Sequence, residues 1–146
     1  MNRIIILLAT ILFAAVGSAL AQDSPIKERQ ALMKKNGEAT KLVSAMLKGE
    51  TPYDAAAAAE AMTGINGSMD KFVTLFPEGS AEGSDAKPEI WDDKADFDAK
   101  AETVKEATAK TAEAAPGGKD SFQAAFANVG QGCKGCHEKY RVPPKN

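Results

Sequence analysis

Apolar residues in this chain recur at alternating steps of three and four, and no stretch alternates apolar and polar residues as a strand would. The pattern is clearest in one seam, which runs through Met62, Ile65, Met69, Phe72 and Phe76. This spacing places its members on one face of a helix, and that face must be buried against other helices. The sequence therefore predicts an all-α fold.

Proline and glycine breaks divide the chain into four helical segments. The breaks are Gly49 to Pro52, a loop from Pro77 to Pro88, Pro116-Gly117-Gly118 and Pro143-Pro144. Both residue types stop helices, proline by lacking a backbone donor and glycine by accepting a left-handed conformation. Helices are predicted over residues 25–48, 51–76, 89–115 and 121–141. Their short links favour an antiparallel up-down-up-down four-helix bundle.

The first 21 residues have the features of a secretory signal peptide. Arg3 precedes an apolar run from Ile4 to Val16, and Ala19-Leu20-Ala21 offers small residues where a signal peptidase reads. A membrane anchor is the weaker interpretation, because a bilayer span needs about 20 apolar residues. We expect cleavage after Ala21, a mature domain over residues 22–146, and export to a bacterial periplasm.

Charge and hydropathy argue against binding to nucleic acid and against a membrane span in the mature chain. The chain has 18 Lys and Arg against 20 Asp and Glu, for a net charge of −2, and the basic residues form no stripe. Binding to nucleic acid is therefore not expected. The sequence shows no second long apolar run, so we expect no membrane span after cleavage.

Cys133, Cys136 and His137 form a Cys-x-x-Cys-His motif in the last helical segment. This motif is a signature of covalent haem c attachment. Residues three and four apart share a helix face, so the two thiols can reach the two vinyl groups on one edge of the macrocycle. His137 can then bind the iron as the proximal ligand. It is the only histidine of the chain, so a second histidine cannot take the sixth position.

Three other interpretations of the motif are weaker. A redox-active Cys-x-x-Cys is expected at a helix N-terminus beside a strand, where the thiol pKa is lowered. A zinc site needs about four ligands, and the chain has no further cysteine or histidine. A plain disulfide leaves the adjacent histidine without a reason.

On these features the chain resembles the class II c-type cytochromes, the family of cytochrome c′ and cytochrome c-556. The C-terminal position of the haem motif is typical of that class. The resemblance implies a four-helix bundle with one haem c between its helices, and often a homodimer through the first two helices. The residues that carry it are Arg29 to Met33 with Asn36-Gly37, Lys48 to Asp54, Phe76 to Ser80, Ala86 to Trp91 and Cys133 to Arg141.

Met33 is the leading candidate for the residue that faces the iron opposite His137. At 1.5 Å per residue, Met33 lies about 12 Å from the start of the first helix, and His137 about 6 to 8 Å from the end of the last. These ends are neighbours in an antiparallel bundle, so the two levels agree. The resemblance implies either that Met33 binds the iron, as in low-spin c-556 proteins, or that it crowds an open site. Ligation is the favoured prediction.

The resemblance also assigns residues around the rim of the haem. Arg29 lies one turn before Met33 and is expected to pair with a propionate, with a further hydrogen bond from Gln30. Ser80 and Glu82, in the long loop, are expected to close over the haem edge. Arg141 lies four residues after His137, on the haem side of the last helix.

Two functions follow from the two states of the iron. A haem with His and Met ligands suits an electron carrier for periplasmic redox partner proteins, which is the function that the sequence favours. A five-coordinate iron would instead bind nitric oxide or carbon monoxide. An enzyme is not expected, because no acid–base group stands beside Met33 in the sequence.

Replacing Cys133 and Cys136 together with alanine tests the attachment chemistry. We expect the haem of the double variant to be extracted into acidified acetone, because no thioether bond then holds it. The haem of the unaltered protein should stay with the polypeptide. A haem that stays bound to the double variant would show that attachment uses other residues.

Overall fold

The computed structural model describes residues 2–144, with side chains from Pro25 onward. Over these residues the structure is helical, apart from loops and one β-bridge between Ala86 and Arg141. The all-α prediction is therefore confirmed. The elements are α1 (Asn2–Lys48), α2 (Ala55–Phe72), α3 (Glu89–Asp92), α4 (Lys94–Ala114), a 3-10 turn (Ala115–Gly117) and α5 (Lys119–Tyr140).

The four long helices form the predicted four-helix bundle. α2 packs against both α1 and α4, and α4 packs against α5. In the described part of the chain, α1 and α5 barely approach each other. We refer to this side, where direct helix–helix packing is sparse, as the open side of the bundle.

The start of α1 differs from the prediction. The helix runs continuously from Asn2 and includes Pro25, so a helix start at Pro25 is wrong for this chain. A proline removes only one backbone donor, and the residues on either side continue the helix. The predicted signal peptide, residues 1–21, lies outside the residues whose side chains are described, and its cleavage stays a prediction. Over residues 25–144, whose side chains the structure describes, no helical stretch is long and apolar enough to span a membrane.

The end of α1 follows the prediction. Gly49 has a φ of 78°, a conformation that residues with a Cβ rarely adopt. Its N–H donates to the Met46 carbonyl at 3.1 Å, and the Glu50 N–H donates to the Ala45 carbonyl at 2.9 Å. These two bonds satisfy carbonyls that the helix end leaves free, and they terminate α1.

Three other helix boundaries differ from the prediction. α2 begins later than Thr51, because Asp54 is the capping residue and accepts a hydrogen bond from the Ala57 N–H at 3.0 Å. It also ends at Phe72, earlier than predicted. The third predicted helix is split at Asp93, whose backbone has a φ of −136° and so leaves the helical region. The short α3 and the longer α4 result.

The core lies between the apolar faces of the four long helices. Its most buried large side chains include Val43, Met62, Phe97, Phe122 and Val129, each at most 1% exposed. Burial of each such side chain stabilises the fold by about 1.5–3 kcal/mol. All five residues of the predicted seam are buried, although the last of them, Phe76, lies beyond the end of α2.

A polar contact connects α1 and α2 within this apolar packing. The Ser68 hydroxyl donates to Asn36 Oδ1 at 2.7 Å, and Asn36 Nδ2 donates to the sulfur of Met69 at 4.0 Å. Ser68 is 8% exposed, so a rotation of α1 that broke the contact would leave a buried hydroxyl with fewer partners. The contact therefore fixes the rotation of α1 on α2.

α4 and α5 approach closely at Gly132. A Cβ at this position would lie 3.1 Å from Cγ2 of Val104, whereas a Cβ at Gly130, two residues away, would meet nothing within 4 Å. Val104 is 3% exposed, and β-branched residues have one strongly preferred rotamer in a helix. The side chain therefore has little freedom to move aside.

We expect Gly132→Ala to be less stable than Gly130→Ala by ~1 kcal/mol or more, since the first overpacks the α4–α5 contact. Gly130→Ala should itself stabilise the protein by ~0.5–1 kcal/mol, the usual gain for alanine at an open helical site. Urea denaturation of both variants, followed by circular dichroism, measures the difference. Equal stability of the two would contradict the close contact.

Candidate haem site

The Cys-x-x-Cys-His motif lies in the last two turns of α5. Cys133 and Cys136 are half-buried, pack against the core and are not joined by a disulfide. His137 follows them and is exposed. The helix thus presents two thiols and an imidazole at one end of the bundle, as the spacing predicts.

Both thiols are neutral in this environment. Burial raises the pKa of Cys133, and burial together with the neighbouring Cys133 raises the pKa of Cys136 to about 11. A redox-active Cys-x-x-Cys requires the opposite shift, because its nucleophile is a thiolate. Among the described residues no three Cys, His, Asp or Glu side chains cluster as a metal site either. The redox and zinc alternatives are therefore unsupported.

His137 is in the protonation state that a metal ligand needs. Desolvation of its ring, followed by the positive charge of Arg141, lowers the pKa of the imidazole. The ring is therefore neutral at pH 7, with a free nitrogen lone pair.

Met33 lies on α1, across the open side of the bundle from α5. Its side chain is half-buried and packs against the same core cluster as Cys133 and Cys136. The bundle therefore brings the predicted distal residue and the predicted attachment residues onto one apolar cluster. Leu32, the residue before Met33, also packs there.

Arg29 is 4% exposed and is held entirely by the loop after α2. Nη1 donates to the Leu75 carbonyl at 2.9 Å and to the Ser80 hydroxyl at 3.0 Å. Nη2 donates to the Ser80 carbonyl at 2.5 Å and to the Ser84 hydroxyl at 2.7 Å. The guanidinium also lies over the Phe76 ring, 4.5 Å from its centroid. Four of its five N–H groups are thus used by the loop.

The charge of Arg29 is not matched by a carboxylate among the described residues. All four of its acceptors are neutral oxygens. Burial lowers the pKa of Arg29, although an arginine stays protonated at neutral pH. A buried cation with only neutral acceptors favours an anion nearby. A haem propionate fits this requirement.

The same loop is joined to the end of α5. The Lys87 N–H donates to the Tyr140 carbonyl at 3.0 Å, and the Val142 N–H donates to the Asp85 carbonyl at 2.8 Å. These bonds flank the bridge between Ala86 and Arg141. The loop therefore spans from α1 to α5 across one end of the open side.

The remaining predicted site residues differ in burial. Ser80 is fully buried and bonded to Arg29, whereas Gln30 and Glu82 are exposed. Arg141 is also exposed, and only its backbone is joined to the loop. The assignment of all four to the haem stays a prediction.

Two residues that hold Arg29 were missed by the sequence analysis. Ser84 accepts one of its hydrogen bonds, and Phe76 forms the surface beneath it. The nearby Gly79 and Gly83 both have positive φ, so a tight loop could have been predicted there. The choice of Ser84 as the acceptor had no signal in the sequence.

An ionic and aromatic cluster supports the haem-motif end of α5. Asp96 of α4 accepts hydrogen bonds from Lys139 at 2.8 Å and from the Tyr140 hydroxyl at 2.5 Å. The Tyr140 ring packs edge-on against Phe97, with centroids 5.3 Å apart. Hydrogen bonds from Lys139 and then Tyr140 lower the pKa of Asp96. The last turn of α5 is thus fixed to α4.

These features together fit a covalently attached haem. The bundle has an open side between α1 and α5, two neutral thiols and a neutral imidazole on α5, and an apolar residue opposite them on α1. A buried cation stands one turn from that apolar residue.

Comparisons with known proteins agree with this fit. The family model described as Cytochrome C′ matches residues 24–141. A cytochrome c′ of Rhodopseudomonas palustris is 38% identical over 134 residues, covering 86% of this chain and 87% of that protein. A cytochrome c-556 of Agrobacterium tumefaciens is 34% identical and covers 80% of this chain and 96% of its own length.

Solved structures give the same result for the fold. Cytochrome c prime from Shewanella frigidimarina has a TM-score of 0.77 at 34% identity, covering 84% of this chain and 97% of that one. A variant of cytochrome c prime from Alcaligenes xylosoxidans, solved as its nitric oxide complex, has a TM-score of 0.76 at 32% identity, with coverage of 84% and 97%.

The cluster around Asp96 makes stability depend on pH. Because its pKa is lowered in the fold, Asp96 contributes stability that is present above its unfolded pKa of about 3.9 and is lost as the pH falls through the folded value. We expect Asp96→Asn to lower the melting temperature at pH 7 and to have a smaller effect at acid pH. Asp98→Asn, which breaks only an exposed pair with Lys94, is the control. An equal effect of Asp96→Asn at both pH values would contradict the assignment.

Proposed function

The chain belongs to the cytochrome c′ family and carries one covalently attached haem c, and we propose that it binds a small diatomic gas such as nitric oxide opposite His137. This is the alternative of the sequence analysis, and it now stands ahead of the electron carrier. The similar structures include nitric oxide complexes, which favour a gas ligand over a methionine ligand.

The side chains of α5 hold the cofactor in this proposal. Cys133 and Cys136 would form the two thioether bonds, and the neutral imidazole of His137 would bind the iron. A propionate near Arg29 would balance the buried charge of the guanidinium. When bound, the haem supplies an iron centre that takes up a diatomic ligand and exchanges one electron.

The observation that carries the proposal is the apolar character of the distal side. Met33 and Leu32 pack there against the core. Neither side chain can transfer a proton, so the described distal residues offer no acid–base chemistry. A neutral diatomic molecule needs no polar partner to enter such a space. Met33 would limit the size of this distal space, and the space would therefore select against larger ligands.

An electron carrier is the second candidate, because the distal residue is a methionine. A thioether both packs well and binds haem iron, and ligation by methionine raises the redox potential. The similarity to cytochrome c-556 proteins supports this candidate.

Export to the periplasm accompanies either function in our proposal. The basis is the N-terminal signal sequence, with Arg3 followed by the apolar run from Ile4 to Val16. A redox partner protein and a homodimer through α1 and α2 stay predictions.

Replacing Met33 separates the two candidates. For a gas-binding site we expect the unaltered ferric protein to be high-spin, and Met33→Leu, which keeps the volume but removes the sulfur, to have the same spectrum. Met33→Ala should bind carbon monoxide about tenfold faster or more, because it removes the side chain that crowds the site. Optical spectra and flash photolysis measure these quantities.

The electron carrier predicts a different result for the same variants. The unaltered protein would be low-spin with a methionine–iron charge-transfer band, and both variants would lose it. That outcome would overturn the gas-binding proposal.

A further inference from the structure

We propose that residues 75–87 form a strap that sets the separation of α1 and α5, and thereby the room for a ligand between Met33 and His137. Arg29 is its positioning residue. The inference rests on the proposed function only in that a ligand enters this gap. It concerns the contacts that set the width of the gap between α1 and α5, and not the identity of the ligand.

α1 and α5 do not position each other. In the described structure each packs on the inner helices, α1 on α2 and α5 on α4, and the two barely approach. Their separation is therefore decided by other contacts. The strap is bonded to both.

The strap is attached to α1 near Met33 and to α5 near His137. On α1 it is bonded to Arg29, one turn before Met33. On α5 it is bonded to the backbone of Tyr140 and reaches Arg141, one turn after His137. The Arg141 N–H itself donates to the His137 carbonyl at 3.1 Å. The strap thus joins the two helices one turn from Met33 and one turn from His137, the two residues between which the proposed function places the ligand.

Hydrogen bonds connect α1 to α5 continuously through the strap. Ser84 accepts from Arg29 and also accepts from the Ala86 N–H at 3.2 Å. Ala86 is in turn bridged to Arg141. A short series of hydrogen bonds therefore leads from α1 to α5 without passing through the core.

The contacts of Arg29 with the strap require a guanidinium group. A planar guanidinium has five N–H donors in a fixed fork, and four of them are used on three loop residues. A lysine at this position keeps the charge but has three donors around a single atom. It cannot hold both carbonyls and both hydroxyls at once. A residue needed only to attract a propionate would not require this set of loop contacts.

The test uses Arg29→Lys in the full-length, haem-loaded protein. We expect faster hydrogen exchange of the backbone amides over residues 77–87, because the loop loses its anchor on α1. We also expect carbon monoxide to bind the reduced protein about tenfold faster or more, the scale for losing buried hydrogen bonds to a charged group.

Two controls separate the strap from general loss of stability. Glu28→Gln alters the neighbouring position of α1, where the carboxylate pairs with Lys71 and not with the loop. Phe122→Leu destabilises the core near the start of α5, about 22 Å along the helix from His137 at 1.5 Å per residue. Both should bind carbon monoxide within about twofold of the unaltered rate, since neither touches the strap.

Faster exchange and faster binding in Arg29→Lys, with unchanged binding in the controls, would support the strap. Faster exchange with unchanged binding would overturn it, as would unchanged exchange. If Arg29→Lys fails to fold, Ser80→Ala, which removes one acceptor and keeps the carbonyl, takes its place.

Failure of the proposed function would look different. If Met33 proves to bind the iron in the unaltered protein, the gas-binding proposal fails, but the strap is still tested. Arg29→Lys should then weaken the methionine–iron charge-transfer band, whereas an unchanged band would overturn the strap.

Discussion

Because α1 and α5 barely approach each other, one side of this bundle lacks the helix–helix packing that holds the other three. A four-helix bundle with a fully closed core would have no room for a macrocycle. The sequence meets this constraint with half-buried apolar side chains on both sides, Met33 on α1 and the two cysteines on α5. In our proposal the cofactor would supply the packing surface that the fourth side lacks, and it would then be part of the core as well as the reactive group.

Arg29 shows how the fold tolerates a buried charge. Removing a guanidinium from water costs several kcal/mol, which backbone carbonyls and hydroxyls offset only in part. A haem carboxylate would complete the compensation, so binding of the cofactor and folding of the loop would favour each other. The half-buried thiols behave similarly, since their raised pKa keeps them neutral, and the proposed thioether bonds would carry no charge either.

The sequence predicted the bundle well because periodicity and chain breaks are local signals. The seam from Met62 to Phe76 and the glycine after Lys48 both required only neighbouring residues to interpret. Boundaries failed where two local signals competed, as at Thr51 and Asp54, both of which are good helix caps. The partners of Arg29 could not be predicted, because they lie about fifty positions away and depend on how the loop folds back. The roles of Gln30, Glu82 and Arg141 rest on resemblance alone.

The polar contact at Asn36 has a mechanical consequence for Met33. Asn36 is fixed to α2 on one side of Met33, and Arg29 is fixed to the loop on the other. Met33 therefore lies near the middle of a short beam that is supported at both ends. Its backbone can move toward or away from α5 only if the helix bows between the two supports, which is a stiff deformation. If the Arg29 contact were lost, this segment would be supported at Asn36 alone. A much smaller force would then displace the part of α1 near Arg29.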